Sequence, residues 1–161
     1  MSKLRARWLA LTAAVTAILS WLVNLWGTRQ GWPTLVLPYE SIITLVAVGG
    51  FTLYMGWRVK RLRDGKDTKL SPLVAVRILV LGQALAYTGA LIVGWHAGLM
   101  VDQLATWSER ANHGNTWNAL ALIGTGLALV AVGYIVENFC KIPPQDTDGA
   151  ERGTEDHGEY A

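Results

Sequence analysis

Four long apolar stretches, parted by short polar or charged ones, set the organisation of the chain. The first, Trp8 to Trp26, reads WLALTAAVTAILSWLVNLW and holds 19 residues without a formal charge. As a helix it is about 29 Å long at ~1.5 Å per residue, enough to cross the hydrocarbon of a bilayer. The second runs from Tyr39 to Trp57, the third from Pro72 to Met100 and the fourth from Trp117 to Cys140. A soluble fold interrupts such stretches with polar faces, whereas a bilayer forbids the interruption. The pattern predicts an all-α membrane protein with four transmembrane helices over residues 8–26, 39–57, 72–100 and 117–140, in one domain spanning residues 1–144.

The segments between the spans carry turn and stop signals. Gly27, Gly31, Pro33 and Pro38 break the chain after the first span, and Asp64-Gly65 marks a turn after the second. Ser71-Pro72 reads as an N-cap and first helical position. Leu70 to Met100 is 31 residues, too long for one perpendicular crossing, so the helix tilts or its first turns lie at the interface. Val101 to Thr116 reads as a helical overhang or an interfacial helix. Pro143 and Pro144 stop the fourth span. Residues 145–161 carry six acids against one arginine and no hydrophobic period, which predicts a disordered acidic tail. The basic start and first apolar run have the outline of a signal peptide. The run is long for one, and GTRQGWP after it offers no small-x-small cleavage site, so it reads as an uncleaved span.

Charge then orients the bundle. Only 16% of the 161 residues are charged, against about a quarter in soluble proteins. Eleven of the 14 Lys and Arg fall in the N-terminus, in residues 58–69 and in the C-terminal tail; Arg29 and Arg110 alone occupy the other two connections. The positive-inside rule then puts both termini in the cytoplasm of a multi-pass protein of the cell membrane. Trp26, Trp32, Trp95, Trp107 and Trp117 fall at the outer interface, and Trp8, Tyr54 and Trp57 at the inner one. Arg58, Lys60, Arg61, Arg63, Lys66 and Lys69 form a basic cytoplasmic loop. Each is worth about 1 kcal/mol of attraction to an anionic headgroup near the surface. The acidic tail is a second candidate partner for this loop, at close contact only. A net charge of +2 argues for no nucleic-acid partner, and Cys140, the single cysteine, permits no internal disulfide.

Few side chains in the spans offer chemistry. Arg77 and Glu137 lie near the cytoplasmic ends of the third and fourth spans and are a candidate interhelical ion pair. Arg77 is nine positions before Ala86, about opposite it on an ideal helix. Ala86, Ala90, Gly94 and Gly98 make a small-xxx-small ridge on the third helix. Ala119, Gly126, Gly133 and Cys140 recur every seven residues on the fourth. Such seams let helix backbones approach, within one chain or between copies. Glu40 and His96 fall near the outer ends of the second and third spans; a pH-sensitive contact between them competes with an interfacial histidine touching water or headgroups. No second ligand stands three or four positions from His96, so no metal site is expected. Neither a nucleophile–base set nor a phosphate-cradling glycine loop occurs, so no catalytic residue and no cofactor are expected.

The run SPLVAVRILVLGQALAYTGALIVGWHAG and the ending VENFCKIPPQDTD, with its Glu, its Cys before a base and its double proline, resemble an actinobacterial family of small four-span membrane proteins, the domain of unknown function 3180 family. The resemblance implies the fold and the membrane location and supplies no catalytic residues. The expectation is a non-enzymatic accessory or scaffold subunit of a membrane assembly, with a membrane protein partner or a homo-oligomer. An oligomeric small transporter or channel is the alternative, and a membrane enzyme acting on lipid-linked substrates a third reading.

Overall fold

The computed structural model describes residues 6–33, 35–63, 72–105 and 114–140. Four helices make up the fold: α1 (Ala6–Arg29), α2 (Glu40–Arg63), α3 (Pro72–Ala105) and α4 (Gly114–Cys140). All four are long and apolar enough to cross a membrane. The acidic tail, Lys66, Lys69 and most of the segment after Val101 fall outside the described residues.

Each helix outruns its apolar stretch. α2 continues six residues past Trp57, so Arg58, Lys60 and Arg61 ride on its last turns rather than in a loop. Arg and Lys are good helix formers, and nothing before Asp64-Gly65 breaks the backbone. α1 likewise runs through Gly27 to Arg29 and ends where Gly31 takes φ 74°. The Trp32 amide donates to the Gly27 carbonyl (2.9 Å) and the Gly31 amide to the Thr28 carbonyl (3.2 Å). This is a Schellman cap, whose left-handed position suits glycine. Trp32 then packs edge-on against Trp26 with ring centroids 5.7 Å apart, the apolar contact that accompanies such a cap.

Close glycine contacts fix how the helices lie. A methyl group on Gly133 would meet the Gly82 carbonyl oxygen at 2.5 Å, and one on Gly89 would meet that of Gly126 at 2.5 Å. Later positions on α3 thus face earlier positions on α4, so the two are antiparallel along a seam of seven-residue steps. Gly94 abuts the Ala13 carbonyl and Gly98 that of Ala17, so α1 runs parallel to α3. Gly49 meets Leu129 and Gly56 meets Val136, so α2 runs parallel to α4. Lipid tails are as apolar as leucine, so such backbone-to-backbone packing, and not the hydrophobic effect, holds these helices together.

The spatial order is therefore α1, α3, α4, α2. α3 packs against every other helix, while α1 and α2 make no extensive contact with each other. Leu9, Ala86 and Ala90 form a buried cluster between α1 and α3. Val59, Ile78 and Val136 form another where α2, α3 and α4 meet. One end of the unit carries the basic residues of α2; the other carries Trp26, Trp32, Trp95 and Trp117. We call these the basic end and the tryptophan end.

Candidate functional site

At the tryptophan end the connection from α1 to α2 is laid across the other helices. The Trp95 indole donates from Nε1 to the Leu35 carbonyl at 3.0 Å. The Asn118 amide donates from Nδ2 to the Leu37 carbonyl at 2.8 Å. These bonds strap residues 35–38 across α3 at Trp95 and across the start of α4 at Asn118. They also satisfy two carbonyls of a segment that has no regular structure to pair with. From α1, the Ser20 hydroxyl donates to the Trp95 carbonyl at 2.6 Å, with Ser20 fully buried.

Beside this strap lies a set of buried polar side chains. His96 is 0% exposed, and its Nδ1 is 2.9 Å from the Ile92 carbonyl. A carbonyl only accepts, so Nδ1 carries the proton and Nε2 of the neutral ring is left as an acceptor. Nε2 is buried without a hydrogen-bond partner among the described residues. So are both amide atoms of Gln103 and Oδ1 of Asn118. Gln103 is seven residues after His96, on the α3 face whose earlier steps, Gly82 and Gly89, meet α4. A wet, interfacial His96 was the sequence expectation, and the burial corrects it. The α3–α4 seam continues past Gly89 and takes the imidazole inside. Glu40, the first residue of α2, is exposed, so the two members of the expected outer pair differ fully in burial.

The small-residue ridge Ala86, Ala90, Gly94 and Gly98 lies against α1, in contact with Leu9, Ala13, Thr16, Ala17 and Ser20. Ala119, Gly126 and Gly133 are buried on α4, where Gly126 and Gly133 face α3. Both seams are therefore filled within one chain.

At the basic end Arg77 and Glu137 differ in burial. Arg77 is exposed on α3, while Ile78 beside it is buried against α2 and α4. Glu137 is buried at 5% exposure next to Val136. Ala86 is wholly buried, as an Arg77 on the opposite side of α3 requires. Two of the cations of α2 are seated on aromatic rings. Lys60 Nζ is 5.1 Å from the ring centroid of Phe139 on α4, and Arg61 Cζ is 5.2 Å from that of Trp57. Such contacts hold a charge at the membrane boundary while leaving its outer side free. Cys140 is half-buried near Ile78 and Val59. Among the described residues no three His, Cys, Asp or Glu side chains gather into a metal-binding group.

A family model described as a protein of unknown function, DUF3180, matches residues 9–144, nearly the whole helical unit. The chain belongs to the DUF3180 family. No curated protein and no solved structure matches it. Membership thus covers all four helices of this DUF3180 protein and carries no activity with it. Gln103, Asn118 and Trp95 are the functional candidates that reading the sequence missed. The seven-residue step from His96 to Gln103 was the available signal; the hydrogen bonds to Leu35 and Leu37 had none, because they join segments far apart in the chain.

Proposed function

We propose that this DUF3180 protein is a non-enzymatic accessory or scaffold subunit of a membrane assembly. It sits in the cell membrane with both termini in the cytoplasm. The observation that carries the reading is the unequal burial of the helices. Only 17% of the membrane window of α1 and 22% of that of α2 are buried inside the unit, against 33% for α3 and for α4. The two flanking helices leave broad apolar faces outward, while the small-residue seams that could join copies are used within the chain. Large contiguous apolar faces are what partner helices or lipid cover.

Transport has less support. Thr12, Thr16, Thr52, Thr88 and Thr125 each return their hydroxyl to the carbonyl four residues back on their own helix. A conducting path needs polar groups facing a shared pore. Among the described residues, the buried polar atoms without a partner, on His96, Gln103 and Asn118, lie instead toward the tryptophan end. The orientation rests on the distribution of Lys and Arg. A reporter fused after Ala161 should be reachable only from the cytoplasm.

The test of the role is purification in a mild detergent with identification and counting of whatever remains bound. A stoichiometric membrane protein partner is expected. A defined homo-oligomer with no other protein overturns the scaffold reading in favour of the transporter.

A further inference from the structure

Between α2 and α4 runs an apolar groove of about 490 Å³, lined by Val46, Gly49 and Gly50 on one side and by Gly124, Ala128 and Val132 among others on the other. Its volume lies within the range of ~300–1,000 Å³ typical of ligand sites. Gly50 and Gly124 are exposed, and a methyl group on either would meet nothing within 4 Å, so the groove is open room rather than packing. The hydroxyl of Thr125, the polar group in its wall, is bonded to the Ala121 carbonyl at 2.9 Å.

The groove points at the seated cations. Trp57 follows Gly50 by seven residues and Phe139 follows Val132 by seven, so both rings continue the lining faces toward the basic end. There Lys60 reaches from α2 onto Phe139 of α4 and Arg61 rests on Trp57, beyond the close packing of Gly56 on Val136 that ends the groove on this side. Ten residues separate Gly50 from Lys60, a rise of about 15 Å. That is half of a hydrocarbon core ~30 Å thick, the depth of one leaflet. The cations therefore lie one leaflet's depth from the nearest edge of the groove, a separation that matches a molecule anionic at one end with an apolar chain long enough to reach the groove at the other.

We propose that one anionic phospholipid of the leaflet at the basic end lies on the α2–α4 face, its phosphate on Lys60 and Arg61 and the end of one acyl chain in the groove beside Gly50 and Gly124. The proposal is independent of any protein partner. Glu137, two residues from Phe139, is buried, whereas Arg61 is exposed.

The test is native mass spectrometry of the full chain, released from micelles holding equal amounts of phosphatidylglycerol and phosphatidylcholine with identical chains. One retained phosphatidylglycerol per chain is expected, with phosphatidylcholine lost. The double variant K60A/R61A should bind it about thirtyfold more weakly, as two basic residues at a lipid surface would dictate. Gly124→Leu fills the groove and should lower retention while thermal unfolding stays as in the wild type. Gly50→Leu is the second filler should the first disturb folding. Equal retention of the two lipids overturns the proposal. So does undiminished binding in K60A/R61A or in a folded groove filler. A dimer that the fillers dissociate, with no lipid retained, gives the cleft to a second copy and also overturns it.

Discussion

Replacing Gly133 by alanine adds one methyl group where the α3 and α4 backbones approach closely. That carbon would sit 2.5 Å from the Gly82 carbonyl oxygen, 2.7 Å from the Ala86 Cβ and 3.1 Å from the Ala86 amide nitrogen. Non-bonded carbons prefer about 3.5–4.0 Å, so the helices must part by roughly 1 Å. Two of the three obstructing atoms are backbone, and no rotamer change relieves them. A gap of that size forfeits about a quarter to a half of each dispersion contact along the seam. Overpacking of this kind costs about 1–3 kcal/mol. Gly124→Ala is the control, on the same helix and with nothing within 4 Å of the added methyl. It should be neutral or stabilise by up to about 1 kcal/mol through helix propensity. Unfolding in mixed micelles by increasing sodium dodecyl sulfate, followed by tryptophan fluorescence, measures both. If the two variants shift the midpoint equally, close backbone approach is not what holds α3 to α4, and the reasoning fails.

Other substitutions probe the remaining contacts. Gly94→Leu drives a side chain into the Ala13 carbonyl and to 2.9 Å from the Thr16 Cβ, so it should free α1 to proteolysis in a misfolded monomer; an oligomer that dissociates into intact monomers would contradict this. Gly31→Ala places a Cβ at φ 74° and should lower stability by about 1–2 kcal/mol in a thermal melt, whereas Thr28→Ala nearby should not. Trp95→Phe with Asn118→Leu removes both strap bonds, and faster protease cleavage within residues 30–39 is the expected readout; an unchanged cleavage rate would mean the strap is held by other contacts. For Arg77→Glu and Glu137→Arg, the second should destabilise far more, and the double exchange should not restore folding, because one position is exposed and the other buried. Recovery in the double exchange would show that the two side chains pair across α3 and α4.

The four spans were legible because the bilayer demands an unbroken apolar length, and that demand is written residue by residue. Helix ends were less so: Arg58 to Arg61 look like a loop by charge, yet helix continues through charged residues once outside the hydrocarbon. The glycine seams could be seen as seams, but not which helix each would meet. Nothing local to Gly94 names Ala13, since that pairing depends on α1 and α3 crossing side by side. His96 was misplaced for a related reason. Its depth suggested the interface, and only its rotation into the α3–α4 seam shows that it is enclosed. The groove between α2 and α4 and the seat of Lys60 on Phe139 each need faces from two distant helices and were invisible to either alone.

The order α1, α3, α4, α2 bears on synthesis. A ribosome that has delivered only the first half of this chain has handed the membrane two rods with little to grip in one another. Their partners emerge in the second half, α3 for α1 and α4 for α2, so only the docking of α2 waits for the final helix, and a product truncated after α2 should be cleared by quality control rather than accumulate.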